Sequence, residues 1–309
     1  MNEKKKKKPI NQIMVSKYIF VGSILFYPLL MFCVFYIGTN LNSILMAFQS
    51  ISIRGEKSFA GLTNFSEFIK NCFGGNPYVS MGLKNSVKVY FINLVICVPL
   101  YILFSYILFK KCLGNKVIRA VVMTPSIVSG FIMCLIFKNF VTMGLPELFY
   151  ETFGVEIPNL LRDPGTSLGT NIFYAIWTSF ATSLIVYPNA MKEIDEGIIE
   201  AGKVDGINNM FSELRHIILP LIYPTLSTFL ITGFSSILTD GGVVATFYMY
   251  EAPIDVYNMG YYYWTMVANA RTSGYPELAA GGLLMTIIVA PLTLLLRWFL
   301  NKHDPSSDY

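Results

Sequence analysis

Apolar runs of about twenty residues recur along this chain, at about 17–40, 86–109, 117–141, 170–190, 217–238 and 278–299. A helix rises about 1.5 Å per residue, so roughly 20 apolar residues carry it across the ~30 Å hydrocarbon core of a bilayer. Within hydrocarbon every backbone N–H and C=O must be bonded inside the protein, and helices meet that demand locally. The charge content agrees: 14% of residues are charged and 54% hydrophobic, where soluble domains carry roughly a quarter charged residues. The chain therefore reads as an all-α integral membrane protein with six transmembrane helices.

Residues 4–8 are all lysine and precede the first run. A basic stretch before an apolar one also introduces signal peptides. This apolar run outlasts a typical signal core, and no small-x-small cleavage site follows it, which favours an uncleaved first span. With the N-terminus inside, the inner side holds fifteen of the 23 Lys and Arg residues and the outer side seven. Lys138, near the outer end of the third span, is the remaining one. The bias puts both termini in the cytosol. It divides the chain into a basic N-terminal segment (1–16), a six-span domain (17–300) and a tail (301–309) expected to fray. The outer segments, at about 41–85, 142–169 and 239–277, are rich in Gly, Asn, Pro and aromatics and read as ordered.

Several chemistries are disfavoured. Cys33, Cys72, Cys97, Cys112 and Cys134 show neither metal-ligand nor disulfide-framework spacing and read as small hydrophobes. His216 and His303 are the only histidines, and both lie outside the apolar interiors, so no metal site is expected there. The spans offer no Asp or Glu for acid–base work, which argues against an intramembrane transferase and leaves no catalytic candidates. Net charge is +4 with the basic residues gathered at the N-terminus, so nucleic acid is not the natural partner.

The polar loop at 192–216 interrupts the apolar pattern, and orientation places it in the cytosol. Residues 194–205 suit a short helix, stopped by Asp205-Gly206, because glycine enters the left-handed region without penalty. Asn208 or Asn209 suits the cap of a second short helix. Pro220 is expected in the first turn of the fifth span, where its missing N–H costs least. Gly197, Gly202 and Lys203 stand at P-loop spacing. Val204 stands where Ser or Thr would meet Mg²⁺, and acidic neighbours at Glu193, Asp195, Glu196 and Glu200 would repel phosphate, so nucleotide binding is rejected.

Glu200-Ala201-Gly202, Asp205-Gly206, Ile217 and Leu219-Pro220 resemble the EAA loop of ABC-importer permease subunits. Gly202 replaces the second Ala, and ten rather than nine residues separate Gly206 from Ile217. Further likenesses point to the maltose-permease-like branch: Gly61-Leu62-Thr63-Asn64-Phe65; Met123-Thr124-Pro125 with Ser126 and Ser129; Asp240-Gly241-Gly242, with Val243 in place of a Pro; and Tyr275 with Ala279-Ala280. The resemblance implies a type I ABC-importer permease architecture in a bacterial plasma membrane. It implies a carbohydrate as cargo, an oligosaccharide by preference, and a second homologous permease subunit. It also implies two cytosolic ATPase subunits and an extracytoplasmic sugar-binding protein. In such a family Glu200, Ala201, Gly202, Asp205 and Gly206 form a coupling helix that docks on the ATPase. ATP and Mg would be held by those partners, with no cofactor on this chain. The alternatives are a permease for another solute (amino acid, peptide or glycerol-phosphate-like) and a non-ATP carrier or channel. The last would need a charged ring or an ion site, for which only Lys138 is available.

Sugars are held by aromatic faces and by hydrogen bonds to hydroxyls and amides. Two polar stripes suit a substrate path: Ser179, Thr182 and Ser183 on the fourth span, and Ser235, Ser236 and Thr239 at the outer end of the fifth. Lys138 is added as an intramembrane charge. Trp264 is added from an aromatic-rich outer segment, which suits an interfacial belt equally well. Small hydroxyl residues also pack helices together, so both readings of the stripes stand.

Overall fold

The computed structural model describes residues 12–308 apart from 53, 113, 270 and 271. The lysines at 4–8 and Arg271 thus lie outside the described residues. The chain divides into two compact units: 1–65 with 271–283, and 66–270 with 284–309.

The smaller unit holds helix α1 (Lys17–Ala47) and a two-stranded antiparallel hairpin, β1 (Gln49–Ile51) with β2 (Lys57–Phe59). The α1 surface is almost entirely exposed hydrophobic side chains, the pattern of a helix meant for lipid. Asn64, at the start of α2 (Thr63–Lys70), ties the hairpin to the helix end. Its buried amide donates to the carbonyls of Ala47 and Gln49, both at 2.8 Å. Gly61 precedes it with φ +57°, and the Thr63 hydroxyl donates to Ala60 O at 2.8 Å. The Gly-Leu-Thr-Asn-Phe stretch is therefore a folded corner.

The larger unit is built on α3 (Pro77–Phe109), α4 (Asn115–Ile127), α5 (Gly130–Phe153) and α6 (Ser167–Lys192). Two short helices follow, α7 (Glu196–Val204) and α8 (Met210–Leu221), then α9 (Tyr223–Ser235), α10 (Val244–Tyr248) and α11 (Met259–Asn269). The final helix, α12 (Tyr275–Lys302), begins in the smaller unit and ends in the larger. The second half of α3 and the whole of α4 pack along α6, and the first half of α3 packs on α11. Each expected outer segment is folded. The tail does not simply fray: Asp304 accepts from Ser306 N at 2.9 Å, and Pro305–Asp308 forms a helical turn.

Among the described residues, four helices qualify as spans by length and apolarity, α1, α3, α5 and α12, or five if the bent pair α8–α9 is one. Three expected spans take a different form. The run at 117–141 is divided at Val128–Ser129, whose backbone leaves the helical region, giving α4 and α5. The run at 170–190 lies within a 26-residue helix that is long enough to cross but interrupted by hydroxyl and amide residues. The run at 217–238 is broken at Ile222, where the helices meet at 72°. Pro220 therefore ends α8 instead of opening the span, and Pro224 takes the first-turn position of α9.

One backbone contact organises the end of the larger unit that holds Asp240 and Gly260. Asp240 Oδ1 accepts from Gly242 N at 2.7 Å, forming a tight turn with Gly242 at φ +53°. That turn sits directly on Gly260 in the first turn of α11, where a Cβ would overlap Gly241 N and the Asp240 carbonyl carbon. Gly260→Ala should therefore lower stability by roughly 1–3 kcal/mol, the usual cost of overpacking. Gly169→Ala, at an exposed helical site with open space around it, should be neutral or gain up to about 1 kcal/mol. Thermal unfolding midpoints of the detergent-purified variants check both.

Candidate functional site

The polar loop forms an elbow whose local rules are readable residue by residue. Asp195 caps α7, its carboxylate accepting from Gly197 N at 2.7 Å. The helix ends at Gly206, φ +90°, in a two-bond stop: Gly206 N donates to Lys203 O at 3.2 Å and Ile207 N to Gly202 O at 2.8 Å. Asn209 then caps α8, accepting from Phe211 N at 3.3 Å. Glu200, Ala201, Asp205 and Gly206 are exposed together at the tip. Gly202 points the other way. It is buried against Ile217, and a Cβ there would meet the Ile217 side chain. Its small size thus serves the elbow's own packing, a role that the docking set expected from sequence did not separate.

The elbow is tied into the spans. Ile199, Ile217, Ile218 and Ile222 share one buried cluster with Cys97, Tyr101, Ile102, Tyr106, Tyr187 and Met191. Glu213, buried on α8, forms an ion pair with Lys110 at the end of α3. The Lys110 ammonium also lies 5.6 Å from the Tyr106 ring centre.

Within the larger unit a cavity of about 490 Å³ opens between α3, α6, α9 and the Asp240–Gly242 turn. That volume lies in the range of small-molecule sites, roughly 300–1,000 Å³. Its walls combine hydroxyls (Ser179, Thr182, Ser183, Thr232, Ser236), amides (Asn85, Asn93, Asn171, Asn258), the rings of Tyr90, Tyr101, Tyr187 and Phe229, and one carboxylate, Asp240. Asn93 opens a π-turn (Asn93–Cys97) in the middle of α3; such turns widen a helix locally and recur at functional sites.

Of the substrate-path residues expected from sequence, Ser179, Thr182, Ser183 and Ser236 line the cavity, whereas Ser235 and Thr239 do not. Lys138 lies elsewhere. Its ammonium donates to Phe247 O at 2.7 Å, fixing the end of α10, beside a smaller cleft with Thr142, Arg162 and Glu251. Trp264 also lies outside, stacked 4.8 Å from the Tyr250 ring and 5.8 Å from Tyr261. The sequence reading passed over the amides: Asn85 and Asn93 lie on α3, Asn171 near the start of α6 and Asn258 just before α11, and none of them belongs to a hydroxyl stripe. Two of them double as braces. Asn85 donates to Asp255 O and Tyr257 O at 2.7 and 2.8 Å, and Asn171 donates to the Tyr248 hydroxyl at 2.9 Å. The Tyr248 phenol, pushed up to about 12 by burial, donates in turn to Leu161 O at 2.6 Å.

The sequence profile of the binding-protein-dependent transport system inner membrane component family matches residues 85–308. The Bacillus subtilis protein described as probable ABC transporter permease protein YesP is 25% identical over 279 residues, 83% of this chain and 86% of its own length. The B. subtilis polygalacturonan/rhamnogalacturonan transport system permease protein YteP is 24% identical, over 74% of this chain and 71% of itself. The maltose/maltodextrin permease protein MalF of Vibrio vulnificus is 25% identical over 59% of this chain, which spans 37% of that longer protein. Among solved structures, a chain of a bacterial ABC transporter involved in import of the acidic polysaccharide alginate superposes with a TM-score of 0.77. It is 17% identical and covers 94% of this chain and 98% of its own. At that identity the likeness is one of fold.

Lys138 separates structural from path roles by experiment. Lys138→Met leaves Phe247 O without its donor and should cost about 1–3 kcal/mol of stability. A lowered thermal midpoint in detergent checks it, and an unchanged one would return Lys138 to the list of path residues.

Proposed function

The chain belongs to the family of binding-protein-dependent transport system inner membrane components, and on that premise we propose that it is the permease subunit of an ATP-driven importer of carbohydrate, of oligosaccharide size. The observation that carries this reading is the cavity of about 490 Å³, walled by hydroxyls, amides and aromatic rings and sharing Tyr101 and Tyr187 with the buried cluster under the elbow. Polyhydroxylated rings need that mixture: flat faces to stack on and many directional polar partners. The named substrates of its relatives, maltose and maltodextrin, polygalacturonan and rhamnogalacturonan, support the same class.

In this reading the chain crosses the plasma membrane six times with both termini cytosolic. It pairs with a second homologous permease. Two cytosolic ATPase subunits hold ATP and Mg, and a binding protein delivers sugar from outside; a neighbour of the same fold is known in complex with a substrate-bound periplasmic protein. This chain carries no ATPase site of its own. Glu200, Ala201, Asp205 and Gly206 offer the exposed docking tip, and Gly202 holds that tip against Ile217. A push on the elbow reaches Tyr101 and Tyr187 through packed side chains, so ATPase closure would bias the cavity between inward-open and outward-open states.

Gly206→Val tests the docking claim, since a β-branched residue at φ +90° costs about 1–3 kcal/mol of local strain and distorts the tip. In vesicles holding the assembled importer, uptake should fall at least ~10-fold while ATP hydrolysis persists, a coupling change of about 1.4 kcal/mol or more. Wild-type uptake in that variant, or reproducible purification of the tagged chain without an ATPase subunit, would overturn it.

A further inference from the structure

The cavity's charge and hydrogen-bond polarity carry information beyond its size. Among the described residues, none that lines it is a Lys, Arg or His, and its one ionisable acid is Asp240. Only one oxygen of that carboxylate is engaged, Oδ1 with Gly242 N at 2.7 Å. The hydroxyls are turned to the same effect. Ser183 donates to Ser179 O at 2.9 Å and Thr232 to Thr228 O at 2.8 Å, while Ser236 donates to Gly233 O at 3.1 Å. A hydroxyl that donates to its own helix presents lone pairs to whatever enters. The amides withhold their donors: Asn85 and Asn171 each spend their NH₂ on two acceptors within the protein, and Asn258 donates to Gly241 O at 3.2 Å while its own oxygen accepts from Tyr261 N at 2.8 Å. The donors that remain free to turn inward, such as the hydroxyls of Tyr90 and Thr182 and the Asn93 amide, are neutral.

From this we propose that the cavity selects uncharged, hydroxyl-donating oligosaccharides and excludes those bearing carboxylates. A neutral sugar brings O–H donors to the lone pairs of Ser183, Thr232 and Ser236 and to the Asp240 carboxylate. A uronate or aldonate brings an acceptor-only group, with no cation to meet it and Asp240 to repel it. Desolvating an anion without a charged partner is costly, and a like charge adds to the cost. The inference rests on the carbohydrate reading above and goes beyond it, since that reading admits neutral and acidic sugars alike.

The test uses the complete importer with its own binding protein in proteoliposomes. A panel of neutral oligosaccharides identifies one that accumulates. Its alditol and its aldonate, which share an open terminal unit and differ in charge, are then compared. The wild type should move the alditol at least ~10-fold faster than the aldonate, since like charges a few ångströms apart repel by more than that even near a protein surface. Asp240→Asn keeps the acceptor for Gly242 N and should shrink that ratio at least ~3-fold, while Asp240→Glu should preserve it. Ser183→Lys, which adds a cation to the wall, should shrink it as well. An aldonate that moves as fast as the alditol overturns the proposal while leaving carbohydrate transport intact. So does a ratio indifferent to both Asp240→Asn and Ser183→Lys, because the discrimination would then lie in the binding protein. Accumulation of another solute with no oligosaccharide moved would overturn the carbohydrate reading itself, and this inference with it.

Discussion

The larger unit depends on one constraint: α6 cannot meet lipid on every side. Its 26 residues reach the length of a span, yet Asn171, Ser179, Thr182 and Ser183 interrupt its apolar surface. Polar groups placed in hydrocarbon without partners cost several kcal/mol each. The helix therefore has to be surrounded by protein or by water. The second half of α3 and α4 pack along it, Ala181, Leu184 and Tyr187 are buried, and Tyr174 packs against Phe137 of α5 and Phe247 of α10. Where α3 and α9 stand back from the hydroxyl stripe, the cavity remains. Fold and site thus answer the same requirement, since the groups that forbid lipid contact are those that line the space.

The cavity and the elbow are mechanically continuous. Tyr101 and Tyr187 line the first and belong to the buried cluster that contains Ile199, Ile217, Ile218 and Ile222 of the second. Close packing of this kind transmits displacement, because interiors are dense and leave little room to absorb it. Two further ties stiffen the elbow. Gly202 admits Ile217 against the backbone of α7, and the ion pair between Glu213 and Lys110 joins α8 to the end of α3. Glu213 is buried and Lys110 only partly so. Much of the pair's value is therefore that it holds a buried carboxylate in one place, since removing one partner would strand the other charge.

Most of this was legible in the sequence where the signal is local. Helix caps and stops follow from short-range hydrogen bonding, so the stop at Asp205-Gly206 was legible and the next cap was narrowed to Asn208 or Asn209, of which Asn209 serves. The serines and threonines at helical spacing on α6, which suit a substrate path or helix packing alike, line the cavity. The failures share a cause. The breaks at Val128–Ser129 and Ile222 divide runs whose composition is apolar on both sides, and periodicity carries no mark of a bend. Lys138 and Trp264 were read by residue type, yet their roles are set by partners distant in sequence, Phe247 O for one and Tyr250 with Tyr261 for the other. The amides of Asn85, Asn171 and Asn258 reach the cavity only through tertiary packing.

The motifs that carry the family resemblance serve mostly to fold the chain. Asn64 bonds two carbonyls at the hairpin corner, Gly61 turns the chain at φ +57°, and Gly241 accepts the close approach of Gly260. Such tasks fix backbone geometry and tolerate few side chains, which is why they leave a readable pattern. The cavity walls obey a looser rule. A hydroxyl at Ser183 or Thr232 bonds its own helix whatever enters the space, and several residue types would complete the same surface. Motifs therefore report which fold and transport system a chain belongs to, while the choice of solute is written in the unpatterned residues between them. In this chain that choice turns on which polar atoms have already spent their protons and on the single carboxylate, Asp240, that faces the same space.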